Sequence, residues 1–359
     1  MQPDRRIEVE KAITREQLQM AARNHGLPLE ALAYPITPVG LHYLLIHYDI
    51  PVVDATSWRL VVDGEVEQPL ELSLDDLRAR PSGEIAATME CAGNGRVDLV
   101  PHVESQPWVN EAVGTGAWRG VRLRDLLADA GVRDGAIDVV FTGLDQGLEE
   151  EVEQTYQRSL SLEDALRAEV LLAYELNGGP LPPQHGFPLR LLVPGWYGMT
   201  SVKWLAHISV VAHPFEGFQM AKRYWLQRDE DDPGEPLTRM APRALAVPPG
   251  VPDFHSRERF LDAGTQVLRG RAWSGWGRVS AVDVSVDGAL TWDAAEVEHD
   301  LESPWAWSAW TFPWNATQGR YEVCVRARDE AGNEQPLEAE WNVGGYRNNA
   351  VQRLIVNVS

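Results

Sequence analysis

The strongest candidate for chemistry in this sequence is a cysteine followed by small residues. Cys91 precedes an Ala-Gly-Asn-Gly segment, whose small side chains allow a ligand to approach the backbone closely. Arg96, five residues after Cys91, could hold an anion near the thiolate through charge-assisted hydrogen bonds. The residue types alone also allow a buried structural cysteine before a turn. The other cysteine, Cys324, alternates with valines in a predicted strand and is interpreted as structural.

A second group of candidates combines basic side chains with loop-forming residues. His185, Arg190 and Lys203 are interleaved with Gly and Pro. Three hydrogen-bond donors in such loops suit a polar cofactor that carries a phosphate. The alternative is three solvated surface residues, which is the more common role of each residue taken alone.

Several other kinds of site are excluded by the sequence. The glycines of Gly114–Gly120 miss the dinucleotide-binding spacing by one residue, and no P-loop, zinc-protease helix or nucleophile elbow is present. Two cysteines exclude a disulfide scaffold and a four-cysteine metal centre. A formal net charge of −21 argues against nucleic acid and anionic membranes as partners, although it permits a cationic protein partner.

The elements that must position these candidates are short helices and strands. A helix over 121–130 has one apolar face, and Gly131 follows it at a capping position. Ser73 and Ser161 are predicted N-caps of two further helices. Apolar runs predict strands over 58–64, 137–141, 189–193 and 202–211.

The length of 359 residues indicates two or three domains. Residues 1–40 are polar, contain one predicted helix over 14–24, and are expected to form an arm laid over a domain. The acidic run 229–232 and four prolines within 242–252 predict a linker. Beyond it, short alternating strands and hairpin turns predict a β-sandwich. Eight of the 14 tryptophans fall in this last part, so its core should be rich in indole rings.

The first 40 residues carry no recognisable targeting segment. Arg5 and Arg6 form a twin-arginine pair, but charged residues rather than an apolar run follow it. No run in this region is long and apolar enough to span a bilayer. We therefore expect a soluble, cytoplasmic protein without a membrane partner.

Three motifs together resemble the sulfite oxidase family of molybdenum enzymes. They are the Cys91 segment with Arg96, the run from His185 to Arg190, and Ser201-Val202-Lys203-Trp204. Residues 269–275 and the Trp-rich segments that follow are similar to the dimerisation domain of the same family. The resemblance covers roughly residues 40–359 and changes the interpretation of Cys91 from a structural residue to a metal ligand.

The resemblance implies an α+β fold that is mainly β. The N-terminal arm of residues 1–40 would precede a molybdopterin-binding catalytic domain at 41–240. An immunoglobulin-like β-sandwich at 255–359 would then pair two chains into a homodimer. Each chain would hold one molybdopterin with its molybdenum, and soft sulfur ligands suit that metal.

The resemblance also assigns roles to individual residues. Cys91 would bind molybdenum beside the sulfur atoms of the pterin. Arg96, Trp108 and Tyr224 match positions around the substrate and would be catalytic together with Cys91. The cofactor would be bound by Leu45, Ile46, His47, Tyr48, Asp49, Cys91, Asp145, His185, Arg190, Ser201, Val202 and Lys203.

The implied reaction is oxygen-atom transfer at a Cys-ligated molybdenum, with the oxidation of sulfite to sulfate as the default. Alternatives are another substrate at the same metal (sulfane sulfur, nitrate or a sulfoxide), or a non-catalytic scaffold of this fold. The sandwich could also be a module that binds another protein. No haem domain precedes the molybdenum domain within this sequence, so electrons would pass to a separate acceptor, such as a basic cytochrome c.

Two positions depart from the pattern of the family. Its sulfite oxidases carry arginines where this sequence has His47 and Gly344. An arginine that binds an oxyanion with two hydrogen bonds is not replaced by glycine, and histidine carries a full charge only near or below its pKa. Arg347 follows Gly344 by three residues, and its side chain is the candidate to replace the missing arginine around the substrate.

Overall fold

The computed structural model describes residues 13–229 and 231–359. Its helices are few and short, and strands predominate, which confirms the mainly β class. No helix among the described residues is long and apolar enough to cross a membrane. The helices are α1 (Arg15–Arg23), α2 (Leu74–Arg78), α3 (Leu123–Ala130), α4 (Leu162–Ala165) and α5 (Phe218–Ala221).

Helices α1, α2 and α4 begin directly after Thr14, Ser73 and Ser161, as the sequence predicts, whereas α3 begins two residues after the predicted start at 121, and α5 is not predicted. Thr14, Ser73 and Ser161 accept hydrogen bonds from backbone N–H groups of the first turns of α1, α2 and α4. Helix α3 buries its apolar face and ends at Gly131, whose φ of +68° is readily adopted by glycine.

The first domain contains two sheets and a small hairpin. One sheet has the order β2-β1-β10-β5-β6, in which β1 and β10 are parallel. The other has the order β3-β4-β7-β8, with β9 also paired to β7. The strands are β1 (Leu60–Gly64), β2 (Leu70–Leu72), β3 (Ser82–Glu90), β4 (Val113–Arg122), β5 (Asp138–Glu149), β6 (Val152–Ser161), β7 (Leu171–Leu176), β8 (Gly179–Pro180), β9 (Arg190–Leu192), β10 (Leu205–Val211), β11 (Trp225–Leu226) and β12 (Glu235–Pro236).

The second domain is the predicted sandwich. Its sheets have the orders β13-β16-β20-β19 and β14-β15-β22-β21-β17-β18, and their inner faces share one apolar core that includes Trp310 and Trp314. The strands are β13 (Arg243–Ala246), β14 (Val251–Pro252), β15 (Arg259–Leu261), β16 (Gly264–Trp273), β17 (Val279–Ser285), β18 (Asp293–Ala294), β19 (Glu296–Glu298), β20 (Ser308–Ala316), β21 (Gly319–Asp329) and β22 (Gln352–Val358).

The linker prediction is wrong for part of 242–252. Strand β13 lies within this segment, is fully buried and pairs with β16 of the sandwich. The prolines lie on either side of β13 rather than inside it, so its backbone N–H groups remain available. Two of them donate to the side chains of Gln335 and Gln352. The sandwich therefore begins before residue 255.

The N-terminal arm is more than a surface cover. The helix predicted over 14–24 is α1, but the following segment enters the interior. Leu27 and Leu32 are fully buried in a cluster that contains Trp273 and Trp307 of the sandwich. The arm therefore fills part of the core between the two domains, and the expectation of a purely superficial arm is wrong.

A buried ion pair connects the two domains directly before Cys91. Glu90 is the last residue of β3, and its Oε1 lies 2.8 Å from Nε of Arg243 on β13. The indole N–H of Trp273 donates to the second carboxylate oxygen at 2.9 Å, and the amide of Asn94 donates to the first at 3.0 Å. Both charged side chains are almost fully buried, so each depends on the other for compensation.

We expect Glu90→Gln to lower the free energy of unfolding by about 3–5 kcal/mol, because it leaves the buried Arg243 charge uncompensated. Urea unfolding measures this loss. Glu338→Gln is the matched control, since Glu338 pairs with Arg353 on the surface and should cost less than about 1 kcal/mol. Equal effects of the two changes would contradict a structural role for the buried pair.

Candidate functional site

Cys91 lies in the turn that follows β3. Its backbone N–H donates to the carbonyl of Ala112 at 2.9 Å, and its carbonyl accepts from Asn94 at 3.0 Å. The side chain of Asn94 also accepts from the backbone N–H of Ala112 at 3.1 Å. These bonds fix the turn and hold the thiol at a defined position, nearly buried.

Two cavities meet at Cys91. The inner cavity holds about 610 Å³ of empty space and the outer cavity about 1530 Å³, and both figures include space that is open to solvent. Leu45, His47, Cys91 and Tyr224 line both and form the boundary between them. The predicted residues that line the inner cavity are Leu45, His47, Cys91, Asp145, His185, Arg190, Ser201, Lys203 and Tyr224.

The surroundings of the Cys91 thiol act on its pKa in opposite directions. Burial is the largest effect and raises the pKa overall, whereas the Arg96 charge and the backbone N–H of Gly93 oppose it. A metal cation at this position would add a much larger stabilisation of the thiolate. The site therefore suits a thiolate ligand better than a free catalytic thiol.

The far wall of the inner cavity is positively charged. Arg190 is buried, and its guanidinium donates to the carbonyls of His185 at 3.1 Å and Ser201 at 3.0 Å. It also lies 5.0 Å from the centroid of the Trp118 ring. Burial lowers the pKa of Arg190 to about 10, so the side chain stays protonated at neutral pH.

Lys203 and Asp145 supply a second polar group in the inner cavity. Nζ of Lys203 donates to the carbonyl of Leu45 at 2.7 Å. Burial and the nearby Arg190 lower the pKa of Lys203, and Asp145 opposes them. Burial raises the pKa of Asp145, and Lys203 opposes it. Oδ1 of Asp145 has no hydrogen-bond partner among the described residues, which is unusual for a buried oxygen and indicates a place for a ligand donor.

Two histidines form another wall, and one of them is not evident from the sequence. His42 and His185 have ring centroids 5.5 Å apart. Burial lowers the pKa of His42 to about 4 and also lowers that of His185, so both rings are neutral at neutral pH. Within the part of the chain that the structure describes, Nε2 of His42 has no hydrogen-bond partner. An isolated histidine in an apolar segment gives no signal in the sequence that would have identified it.

Four predicted cofactor residues do not contribute side chains to the inner cavity. Ile46 and Tyr48 line the outer cavity instead. Asp49 is exposed, and its carboxylate accepts from the backbone of Ile50. Val202 is buried in the main core, because its neighbours Ser201 and Lys203 face the cavity. The backbone N–H and carbonyl of Val202 form hydrogen bonds with other backbone groups. Asp49 and Val202 therefore remain as the two predicted residues that line neither cavity.

Arg96 is held firmly in the outer cavity. Its guanidinium donates to the carbonyl of Gln106 at 3.0 Å and twice to the carbonyl of Gly344, at 3.2 and 3.3 Å. It lies 5.3 Å from the centroid of the Tyr346 ring. A Cβ at position 93 would stand 2.5 Å from this guanidinium, so Gly93 is required for Arg96 to occupy its place. Trp108 lines the same cavity, and its indole N–H has no hydrogen-bond partner in residues 13–229 and 231–359.

Tyr224 and His47 are hydrogen-bonded at the boundary between the cavities. The Tyr224 hydroxyl lies 2.7 Å from Nε2 of His47, and Tyr224 has a positive φ of 61°. The His47 ring stacks on Tyr156 at 4.8 Å, and the buried Arg158 lies 5.3 Å from the centroid of the Tyr224 ring. Burial and the charge of Lys203 lower the pKa of His47 to about 4. His47 therefore supplies no positive charge at neutral pH.

Arg347 does not replace the arginine missing at Gly344. Its side chain lies 3.5 Å from a carboxylate oxygen of Glu235 and lines neither of the two cavities. Its backbone N–H donates to the carbonyl of Ala92 at 2.8 Å, so the residue supports the Cys91 turn through its main chain only. The ring of Tyr346 lies beside Arg96 instead.

The residues of the inner cavity fit a molybdopterin group. A thiol at one end provides a soft ligand for the metal. Arg190 and Lys203 provide positive charge for a phosphate, and the unpartnered atoms of Asp145 and His42 provide hydrogen-bonding positions for a polar heterocycle. This set of donors would hold the cofactor without a second protein ligand to the metal. Among the described residues, no cluster of three His, Cys, Asp or Glu side chains offers an alternative metal site.

We expect Lys203→Met to lower the molybdenum and pterin content of the purified protein by about tenfold, since one charge-assisted hydrogen bond contributes about 1.5–3 kcal/mol. Mass spectrometry of the metal and fluorescence of the oxidised pterin measure the content. Lys222→Met is the matched control, because Lys222 lies exposed at the rim of the outer cavity. If both variants retain the full content, Lys203 is not a cofactor ligand.

Comparisons with known proteins agree with this site. The family model for an oxidoreductase molybdopterin binding domain matches residues 47–219, and that for a Mo-co oxidoreductase dimerisation domain matches residues 255–359. The sulfane dehydrogenase SoxCD from Paracoccus pantotrophus has a similar structure, with a TM-score of 0.79 and 27% identity. This match covers 93% of this chain and 86% of that chain.

Curated relatives show the same similarity at the level of sequence. The mitochondrial sulfite oxidase of Rattus norvegicus is 36% identical over 90% of this chain, which spans 62% of the length of that protein. The sulfite oxidase of Arabidopsis thaliana is 33% identical over 90% of this chain and 88% of its own length. With the two domain matches, these similarities show that the chain belongs to the sulfite oxidase family of molybdopterin-dependent oxidoreductases.

Proposed function

We propose that this chain oxidises a small sulfur oxyanion by oxygen-atom transfer, with sulfite to sulfate as the default reaction. The observation that carries the proposal is the position of Cys91 at the meeting point of a cofactor cavity and a substrate cavity. Arg96 lies on the substrate side, where a cation can bind an oxyanion.

The two cavities separate the residues that would hold the cofactor from those that would bind the substrate. When bound, molybdopterin with its molybdenum supplies two-electron oxygen-atom transfer. On the protein side, the Cys91 thiolate ligates the metal, while Arg190 and Lys203 hold the anionic end of the cofactor. Arg96 orients the substrate, and Trp108 offers an indole N–H in the same cavity. The role of the protein is thus to position both partners and to exclude water from the inner cavity.

His47 holds Tyr224 at the boundary between cofactor and substrate. The 2.7 Å hydrogen bond, the stacking of His47 on Tyr156 and the guanidinium of Arg158 together restrict the Tyr224 hydroxyl to one position. A restricted hydroxyl next to the reacting atoms can donate a hydrogen bond without loss of rotamer freedom. We therefore assign Tyr224 to the substrate and His47 to the positioning of Tyr224.

A separate protein accepts the electrons in this proposal. The chain carries a formal net charge of −21, and a strongly acidic surface favours encounter with a basic acceptor such as a cytochrome c. Charge complementarity of this kind acts mainly on the rate of association, so it should weaken as salt is added.

Sulfane sulfur is the second candidate substrate. The structural relative from Paracoccus pantotrophus is a sulfane dehydrogenase. Because His47 is neutral and Gly344 has no side chain, neither position adds positive charge to that of Arg96. Both features favour a substrate with less negative charge than sulfite.

We expect Cys91→Ser to abolish turnover of sulfite, because the alkoxide of serine is a poor substitute for a soft thiolate ligand. Steady-state kinetics with ferricyanide and cytochrome c in turn measure the loss. Cys324→Ser is the matched control, since Cys324 is buried in the sandwich, remote from both cavities, and should leave turnover intact. Unchanged turnover in the Cys91 variant would overturn the assignment of the metal ligand.

We also propose that the sandwich pairs two copies of this chain. Residues 255–359 match a dimerisation domain. The hairpin of β14 and β15 exposes an apolar patch formed by Val251, Phe254 and Phe260, with 66%, 80% and 46% of their side chains accessible. A patch of this kind on a soluble protein is typical of an interface.

We expect Phe254→Asp to convert the dimer to a monomer at micromolar concentration, because it places a charge in the apolar patch. Light scattering coupled to gel filtration measures the mass. Leu290→Asp is the matched control, since Leu290 is 82% exposed on the same domain but outside the hairpin. A dimer that persists in the Phe254 variant would place the interface elsewhere.

A further inference from the structure

An aromatic ring occupies the space beside Gly344. A Cβ at position 344 would stand 2.2 Å from Cε2 of Tyr346, so no side chain can be added there while the ring keeps its place. Asn342 fixes that ring through the main chain: its amide donates to the carbonyl of Tyr346 at 2.7 Å and accepts from its N–H at 2.9 Å. The ring lies 5.2 Å from that of Tyr224.

The positive charge around the substrate position is correspondingly small. Three N–H groups of Arg96 bond to backbone carbonyls, which leaves two of the five for a ligand. Three other basic side chains line the outer cavity: Arg223 is paired with Glu149 and Glu150, Arg23 donates to the backbone carbonyl of Tyr48, and Lys222 is exposed to solvent. A monoanion therefore matches the available charge better than a dianion does.

The outer cavity has room and apolar surface for more than a bare oxyanion. Its empty space is about 1530 Å³, including the part that is open to solvent. The face of an aromatic ring is electronegative, so the Tyr346 ring repels an anionic oxygen that lies over it and favours an apolar group. The apolar side chains of this cavity include Met20, Trp108, Leu148, Trp225, Val343 and Tyr346.

We propose that the outer cavity selects organic sulfinates, in which carbon replaces one oxygen of sulfite. Arg96 binds the two sulfinate oxygens, Tyr346 packs against the organic substituent, and the sulfur atom faces Cys91. This inference rests on the proposed function and narrows its substrate class. A sulfinate carries one negative charge and retains the sulfur lone pair at which oxygen-atom transfer occurs.

The reaction balances with a one-electron acceptor. One sulfinate, one water and two ferricyanide ions give one sulfonate, two protons and two ferrocyanide ions. A new sulfur–oxygen bond forms from the sulfur lone pair, with the oxygen derived from water, and the carbon–sulfur bond stays intact. Sulfur is oxidised by two electrons, which the two ferricyanide ions accept.

The first test compares benzenesulfinate with sulfite on the holoenzyme, with ferricyanide as acceptor. We expect kcat/KM for benzenesulfinate to equal or exceed that for sulfite. Tyr346→Ala should lower the benzenesulfinate to sulfite ratio of kcat/KM by about tenfold or more, as expected for the loss of one apolar contact region. Tyr346→Phe should retain the ratio within about threefold. The control Tyr34→Ala, at an exposed tyrosine, should not change it.

The second test measures binding without turnover. Titration calorimetry of the holoenzyme with benzenesulfonate and sulfate should show tighter binding of benzenesulfonate, and Tyr346→Ala should remove that difference. If the preference for benzenesulfonate depends on Tyr346 but the enzyme oxidises neither sulfite nor benzenesulfinate, the result supports the selectivity of the outer cavity and contradicts the proposed function. If the enzyme oxidises sulfite but Tyr346→Ala leaves the benzenesulfinate to sulfite ratio of kcat/KM unchanged, the inference is overturned and the proposed function stands.

Discussion

The buried pair of Glu90 and Arg243 is the interaction on which the rest of the site depends. Glu90 is joined covalently to Cys91, while Arg243 and Trp273 belong to the sandwich. Because both side chains are almost fully buried, removal of either partner leaves the other charge uncompensated, at a cost of several kcal/mol. The position of the thiol is therefore set by the contact between the domains as much as by the turn in which it lies.

The substrate cavity is assembled from three distant parts of the chain around this contact. Helix α1 of the arm contributes Met20, the first domain contributes Arg96 and Tyr224, and the segment after β21 contributes Tyr346. Asn24 at the end of the helix accepts from the backbone of Ile46 at 2.7 Å, which docks the arm against the cavity wall. The sandwich is thus part of the site as well as a surface for pairing.

The sequence was sufficient for the class of fold and for several residues that line the two cavities. Cys91, Arg96, His185, Arg190 and Lys203 stand out by residue type and converge as predicted. Composition misled at β13, because prolines beside a strand resemble those of a linker. The roles of Glu90, Arg243 and Tyr346 could not be predicted, since each arises from partners that only the tertiary fold brings together.

Leu45 forms part of the wall between the two cavities. Its carbonyl accepts from Lys203 on one side, and the next N–H, that of Ile46, donates to Asn24 of the arm on the other. The ammonium group of Lys203 has three N–H donors, so it can bind an anion in the inner cavity while it keeps this hydrogen bond. The peptide between Leu45 and Ile46 therefore joins the Lys203 side of the site to the helix of the arm. A displacement of this one peptide would move the wall between the cavities and the anchor of the arm together.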